Sequence, residues 1–265
     1  MQISYSKKST NYYSKKDEAK VKAIEIVNYI NKEFKKEVED CIKNTKVYSN
    51  EFQLSKNENL NIYPCIELYD GVTLDYMPNL NNEKVGILNF ASYKNPGGKF
   101  IEGSLAQEEY LCHNSILYPI LSNDELKKFY EWNSKNLNRA LYTNRALYTP
   151  NVKLFEYDKN VNILTCPAPN RGAFQRYNPT KINENTIALK QRIKFVLDIF
   201  EENKDEVLIL GAFGCGVFKQ DPKEVAEIFK DELKGRNFSK VVFMIPNKQS
   251  SNYIEFYNTF KEKIK

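Results

Sequence analysis

The chain has 265 residues, of which 42% are hydrophobic, and its 39 basic and 34 acidic residues give a formal net charge of +5. A chain of this length can bury a substantial core, so we expect one compact unit. The positive charge is spread along the sequence, which predicts no specific nucleic-acid binding. No run of about eighteen or more apolar residues occurs, so we expect no membrane-spanning helix and no membrane partner.

Cysteine and histidine usage excludes several kinds of site. The cysteines form no Cys-x-x-Cys pair, and their odd number favours free thiols over a disulfide framework. His113 is the only histidine, which argues against histidine-based metal sites and triads. We therefore expect no metal and no cofactor. Because residues 1–8 lack the apolar segment of a secretory signal, we expect a cytoplasmic protein. The cysteines are Cys41, Cys65, Cys112, Cys166 and Cys215.

The first predicted element is an amphipathic helix over residues 16–43, with one apolar face packed on the core. Residues 48–70 are mixed in character and could hold short strands, and a second short helix follows them. We divide the chain into an amino-terminal helical extension, residues 1–80, and a core, residues 81–265. The apolar positions of the first helix are Val21, Ile24, Val27, Ile30 and Phe34.

A glycine turn follows a predicted buried strand. The strand is the short apolar run at residues 85–90, and the sequence Asn95-Pro96-Gly97-Gly98-Lys99 comes soon after it. Ligands of open α/β sheets bind at the carboxyl ends of strands, where glycine lets backbone N–H groups approach a phosphate. The stretch therefore suggests an anionic ligand.

A helix is predicted to begin near Ser104, since Ser104 and Gln107 have the spacing of a capping box. Glu108 and Glu109 then lie in its first two turns, beside the glycine turn, where a carboxylate could contact the ligand. Acidic residues are also common at helix starts because they suit the helix dipole. The pair alone therefore does not establish a catalytic site.

The next predicted helices are separated by proline and capping signals. The helix from Ser104 is expected to stop near Pro119, and the sequence Ser122-Asn123-Asp124-Glu125 is expected to cap another helix. Residues 138–143 are followed at once by an identical copy, residues 144–149, which we interpret as a neutral local duplication. The helix capped by residues 122–125 carries Phe129, Tyr130 and Trp132.

The rest of the chain alternates between strands and helices. Strands are predicted over residues 161–165, 206–210 and 240–245, and helices over residues 184–202 and 251–264. A further helix is predicted to start at Asp221-Pro222, which has the N-cap and N1 order. The alternation predicts an α/β sandwich. The expected inward residues of the two long helices are Ile187, Leu189, Ile193, Val196, Phe200, Ile254, Tyr257 and Phe260.

A second glycine loop, residues 211–218, lies between a predicted strand and the Asp221 helix. It matches neither the Walker A sequence nor the dinucleotide-binding order of glycines. Two glycine loops at strand ends suit a diphosphate held from both sides by backbone amides. Cys215 could instead be a nucleophile paired with His113, but a thiol between glycines is more often a small packing group.

Five segments of the chain, in this order, resemble the microbial-type poly(ADP-ribose) glycohydrolase family. The combination of a glycine turn, Gln-Glu-Glu and Gly-Cys-Gly-Val-Phe is specific to it. The resemblance implies a macrodomain-like fold, in which a mixed β-sheet lies between helices and ADP-ribose lies across the strand ends. The segments are residues 89–92, 95–98, 107–109, 165–170 and 211–218.

The resemblance also implies roles for individual residues. Glu109 matches the catalytic glutamate, which protonates the leaving oxygen of the ribose–ribose bond and then deprotonates the attacking water. Glu108 matches a residue that holds ribose hydroxyls, and Phe218 is placed against the distal ribose. The implied substrate-binding residues are Asn89, Asn95, Gly97, Gly98, Lys99, Gln107, Gly211, Gly214, Cys215, Gly216, Val217 and Phe218.

The chain departs from the family at Lys99, where the family has a third glycine. A lysine at positive φ would cost about 1 kcal/mol or more, whereas an outward lysine could contact phosphate. We expect a monomeric poly(ADP-ribose) glycohydrolase that releases ADP-ribose. One alternative is a hydrolase of ADP-ribose attached to a protein, a nucleobase or a small molecule. The other is an ADP-ribose-binding module that Lys99 has weakened as a catalyst.

Overall fold

The computed structural model describes residues 12–54 and 62–264, and these form alternating helices and strands. The strands are β1 (Lys46–Tyr48), β2 (Cys65–Tyr69), β3 (Val85–Phe90), β4 (Ala146–Lys153), β5 (Asn160–Cys166), β6 (Val207–Leu210) and β7 (Lys240–Met244). The helices are α1 (Tyr12–Glu33), α2 (Lys35–Asn44), α3 (Gln107–Asn114), α4 (Leu117–Leu121), α5 (Asp124–Lys135), α6 (Arg171–Tyr177), α7 (Ile182–Glu202), α8 (Pro222–Glu232) and α9 (Ser251–Phe260). Short 3-10 turns lie at Met77–Asn79 and Asn138–Ala140.

The described strands form one mixed sheet in the order β1-β4-β5-β3-β6-β7-β2. Strands β5, β3, β6, β7 and β2 run parallel, while β4 is antiparallel to both β5 and β1. Because β3 lies between β5 and β6, the loops that follow these three strands leave from one edge of the sheet. This is the edge at which parallel sheets bind ligands.

Helices cover both faces of the sheet. Side chains of successive strand residues point to opposite faces, and in β3 Ile87 packs in one apolar cluster while Leu88 packs in another. The Ile87 cluster contains buried residues of α1 to α5, and the Leu88 cluster contains buried residues of α7 to α9. The predicted α/β class is therefore confirmed.

The amino-terminal helix differs from its prediction in length and in its buried face. It is two helices, because Phe34 has non-helical dihedral angles between α1 and α2. Ala19, Ala23 and Ile30 are buried on α1, whereas Val21 and Ile24 are exposed. The prediction that the latter two face the core was wrong, because two small alanines fill part of the inward face.

Two other details differ from the sequence-based expectation. Pro119 does not end a helix but lies in the first turn of α4, where proline is tolerated. Within the predicted capping segment it is Asn123 that caps α5, by accepting a hydrogen bond from the Glu125 N–H. The inward prediction was wrong for three residues of α7 and α9 that are exposed, which are Ile187, Ile254 and Tyr257.

The two identical hexapeptides fold differently. The first copy contains the turn Asn138–Ala140, whose residues have φ values of 43°, 52° and 68°. The second copy supplies the first half of β4, in which Thr149 pairs with Ile163. Since the local sequence is the same, the tertiary surroundings decide the conformation of each copy.

Strands β1 and β2 come from residues before 80, yet they form the two outer strands of the sheet. The division into residues 1–80 and 81–265 stays a prediction, and the sheet takes strands from both parts. Across the described ranges, no helix has the length and apolar character needed to span a membrane.

Candidate active site

Helix α3 begins at Gln107 with Ala106 as its N-cap, so the capping box predicted at Ser104 was wrong. The Gln107 side chain is used elsewhere, because its Nε2 donates to the Leu88 carbonyl at 2.9 Å. Its Oε1 accepts from the Phe90 N–H at 2.8 Å. Gln107 thus ties the start of α3 to the carboxyl end of β3, which fixes the position of the two glutamates that follow.

Glu108 is 3% exposed and both of its oxygens are occupied. Its Oε2 accepts from the Ser92 N–H at 2.7 Å, and its Oε1 accepts from Asn89 Nδ2 at 3.4 Å. Asn89 Nδ2 also donates to Thr165 Oγ1 of β5 at 3.2 Å, which orients the amide. These contacts leave Glu108 held in place by the ends of β3 and β5.

Glu109 is 5% exposed but only one of its oxygens is paired. Its Oε1 accepts from the Lys99 N–H at 2.8 Å. Its Oε2 is buried and has no hydrogen-bond partner in the part of the chain that the structure describes. Buried polar atoms are nearly always paired, so an unpaired carboxyl oxygen beside a ligand edge is a candidate for contact with a substrate.

Gly97 and Gly98 are required by this arrangement. Both have positive φ, at 65° and 62°, in the region that favours glycine. A Cβ at Gly98 would lie 2.4 Å from Glu109 Oε1 and 3.0 Å from Glu108 Oε2. A Cβ at Gly97 would lie 2.6 Å from the Tyr118 ring. The two glycines let the backbone pass directly over the carboxylates.

Lys99 is compatible with the turn. It is not among the described residues with positive φ, so the strain considered above does not arise. Its backbone N–H binds Glu109, while its side chain points outward and is 63% exposed. The ammonium lies 3.4 Å from the Glu102 carboxylate.

The surroundings of Glu108 favour its protonated form. Burial raises the pKa of Glu108 to about 8, and the nearby charge of Glu109 also raises it, although the Ser92 N–H opposes the shift. The Glu108 carboxyl is therefore protonated at physiological pH.

We expect the stability of the protein to fall as Glu108 ionises. Glu108 has a folded-state pKa near 8 against an ordinary value of 4.5, so its favourable contribution is complete below about pH 4.5 and is lost as pH rises through about 8. The loss is up to about 1.4 kcal/mol per pH unit in this window. Glu108→Gln, which stays neutral, should gain in Tm relative to the unsubstituted protein from pH 5 to pH 9. A difference in Tm that does not change with pH would contradict this assignment.

A cavity of about 220 Å³ opens beside the amino end of α3. One wall is the loop over residues 211–218, and Ala106 and Gln107 line the other side. A Cβ at Gly216 would meet no atom within 4 Å, so the backbone there faces open space. Amides near a helix N-terminus attract anions. Among the described residues no backbone carbonyl accepts from four N–H groups of this loop, which belong to Gly214, Gly216, Val217 and Phe218.

The comparisons agree with this geometry. The family model of the microbial-type poly(ADP-ribose) glycohydrolase (PARG) catalytic domain matches residues 16–157, which is more than half of the chain. The chain belongs to this family. The resemblance stated from the sequence is therefore confirmed, although the matched residues end before the second glycine loop. No curated protein matches the chain.

Solved structures of PARG from two bacteria match nearly the whole chain. The enzyme from Thermomonospora curvata bound to the inhibitor ADP-HPD has 28% identity and a TM-score of 0.80, over 92% of this chain and 100% of its own. The enzyme from Deinococcus radiodurans in complex with ADP-ribose has 28% identity and a TM-score of 0.73, over 85% of this chain and 97% of its own. The chain therefore shares its mixed α/β fold with these enzymes.

The predicted site residues lie in two groups, because Glu108, Glu109 and the glycine turn contact one another but do not line the cavity. Gly214, Gly216, Val217 and Phe218 line the cavity with Gln107. Gly211 is buried below them, where a Cβ would lie 2.8 Å from the Met244 carbonyl. The Asn95 side chain is exposed, and its carbonyl accepts from the Gly98 N–H at 3.0 Å.

Cys215 does not have the surroundings of a nucleophile. Burial raises the pKa of its thiol to about 12, and its side chain packs with the apolar cluster that contains Leu88. His113 packs edge to face on Phe100, which belongs to the cluster on the opposite face of the sheet. The two residues are therefore separated by the sheet, and the cysteine alternative has no support.

Three residues that pack around the cavity were not predicted from the sequence. Tyr93 stacks on Tyr142 with ring centroids 4.1 Å apart, and Tyr142 meets the Phe218 ring edge to face at 6.0 Å. Arg192 is 1% exposed and donates to the Pro167 carbonyl, in the turn beside the cavity. The duplication that contains Tyr142 was the only signal for these residues, and we had interpreted it as neutral.

Proposed function

We propose that this glycosidase cleaves the ribose–ribose bond of poly(ADP-ribose) through Glu109, with Glu108 holding ribose hydroxyls. The observation that carries the proposal is the difference between the two carboxyl oxygens of Glu109. One carboxyl oxygen is fixed by the Lys99 N–H, and the other is buried and without a partner among the described residues. Glu108 lacks this free oxygen, because Ser92 and Asn89 occupy both of its oxygens.

The terminal ADP-ribose unit occupies the cavity in this proposal. Its diphosphate lies against the loop over residues 211–218 and the amino end of α3, where unpaired amides and the helix dipole favour negative charge. Phe218 packs against the distal ribose, and Gly97 and Gly98 bring the backbone close to its other side. ADP-ribose bound to the D. radiodurans enzyme is consistent with this class of ligand.

The chemistry needs one carboxyl group in two protonation states. Oε1 of Glu109 accepts the Lys99 N–H, so in this proposal it is the unpaired Oε2 that gives a proton to the leaving ribose oxygen. The bond from that oxygen to the anomeric carbon breaks, and the positive charge that develops is stabilised by the adjacent diphosphate. The Glu109 carboxylate then takes a proton from water as the water attacks the same carbon.

The same proposal includes a macrodomain-like core, since a mixed sheet between two helical layers places the cavity at the carboxyl ends of β3, β5 and β6. Residues 1–80 act as an extension packed on this core, and the enzyme acts as a monomer with no metal and no cofactor. The cytoplasmic location stays a prediction. The argument for the binding-module alternative was that strain at Lys99 weakens catalysis. Lys99 does not have a positive φ, so this strain does not arise.

Incubation of the protein with purified poly(ADP-ribose), followed by anion-exchange separation of the products, tests the proposed function. We expect free ADP-ribose as the accumulating product. Parallel reactions use ADP-ribose attached to a peptide side chain and to a nucleobase. Hydrolysis of these substrates but not of the polymer would favour the alternative ADP-ribosyl hydrolase function. Binding of ADP-ribose without hydrolysis of any substrate would favour the binding module.

A further inference from the structure

We infer that Lys99 binds a phosphate of the neighbouring ADP-ribose unit, on the leaving side of the cleaved bond. The inference rests on the proposed function and concerns a residue at which this chain departs from the glycine of its family. Lys99 would then be a specificity-determining residue that favours a polymer over a single attached ADP-ribose.

The backbone fixes Lys99 beside the reacting group. Its N–H donates to Glu109 Oε1 at 2.8 Å, so its Cα is next to the catalytic carboxyl. A lysine side chain places its ammonium roughly 6 Å from the Cα on a flexible four-carbon stem. The ammonium can therefore reach groups bonded close to the oxygen that Glu109 protonates.

The Lys99 side chain points into solvent. Lys99 does not line the cavity, and its side chain is 63% exposed, whereas the carboxyl groups of Glu108 and Glu109 are buried. Among the described residues, the ammonium pairs with Glu102, three residues away. Exposed pairs of this kind are weak, so the ammonium can exchange Glu102 for a phosphate.

The chemistry of the substrate supplies the matching anion. In the polymer, the leaving oxygen is a hydroxyl of the neighbouring unit's adenosine ribose, and that ribose carries its own diphosphate a few covalent bonds away. An ADP-ribose attached to an amino-acid side chain has no phosphate on its leaving side. An ammonium in this position therefore distinguishes the two substrate classes through one charge-assisted contact.

The test compares Lys99→Ala with the unsubstituted protein on polymer and on free ADP-ribose. We expect kcat/KM for polymer at low salt to fall about fivefold to tenfold, chiefly through KM, with the Kd for ADP-ribose unchanged. The loss of kcat/KM with added salt should also be shallower. Lys99→Arg should restore most of the activity on polymer, since it keeps the positive charge.

A matched control is Lys234→Ala, because Lys234 is 64% exposed and pairs with Asp231 in an i,i+3 contact just after α8. It should leave both readouts unchanged. An unchanged kcat/KM in Lys99→Ala overturns the inference, and so does an equal loss of ADP-ribose affinity, which would place the lysine on the terminal unit.

Binding measured in the Glu109→Gln background separates this inference from the proposed function. The Kd for an oligomer of ADP-ribose should rise about fivefold to tenfold when Lys99→Ala is added, whereas the Kd for ADP-ribose stays constant. Absence of polymer hydrolysis by the unsubstituted protein would refute the proposed function alone. An oligomer Kd that does not respond to Lys99→Ala would refute the inference alone.

Discussion

Glu109→Gln is expected to lower kcat for ADP-ribose release about a thousandfold, with the Kd for ADP-ribose changed by less than about threefold. Glutamine keeps an oxygen that accepts the Lys99 N–H, so the glycine turn and the fold are preserved. It cannot give a proton to the leaving oxygen or take one from water. The effect therefore belongs to the chemical step and not to binding.

Initial rates of ADP-ribose release, together with calorimetric titration of ADP-ribose, measure both quantities on the same preparation. Glu227→Gln is a suitable control, because Glu227 is an exposed residue of α8 that pairs with Lys223. It should have the kcat of the unsubstituted enzyme. Retention of more than about a tenth of kcat by Glu109→Gln would mean that another group is the acid.

Gly98→Ala is expected to lower kcat at least about a hundredfold and to lower Tm by several degrees. The added Cβ would lie 2.4 Å from Glu109 Oε1, so the carboxyl must move from its position. The backbone φ of 62° adds a cost of about 1 to 2 kcal/mol for a residue with a side chain. A displacement of this size is enough to misalign an acid and its leaving group.

Thermal denaturation and initial rates check this prediction, with Gly216→Ala as the control for stability. A Cβ at Gly216 would meet no atom within 4 Å, so its Tm should equal that of the unsubstituted protein. Its affinity for ADP-ribose should fall, since the added methyl group points into the space assigned to the diphosphate. Unchanged kcat in Gly98→Ala would show that the glycine does not position Glu109.

Local sequence patterns were sufficient to predict part of the fold. The apolar run of β3 was predicted with its observed bounds, and Asp221 caps α8 by accepting from the Glu224 N–H. Both features depend on the residues themselves. Their surroundings add little to the choice of conformation.

Features that depend on distant partners were not predicted. The amide of Gln107 has the spacing of a capping box, but β3 offers it a donor and an acceptor at once, and this contact moves the helix start by three residues. The order of the strands, which brings Asn89 against Thr165, is likewise invisible in a linear pattern. The position of Glu109 beside the glycine turn was predicted from the residues, its catalytic role came from the family resemblance, and the geometry of its free oxygen required coordinates.

Because the hexapeptide is repeated, either copy could form the first half of β4 during folding. A shift of β4 by six residues keeps the alternation of side chains between the two faces of the sheet, because six is an even number. Either copy could therefore pair with β5 with the same side chains facing each helical layer. The residues after the second copy decide which copy enters the sheet, because Val152 pairs with Val161 only when residues 144–149 precede it in β4. Arg192 Nε donates to Asn144 Oδ1 at 2.7 Å, but this contact does not distinguish the two copies, because Asn138 is the counterpart of Asn144 in the first copy. The register of β4 is therefore set by the residues that follow the duplication and not by the duplicated residues themselves.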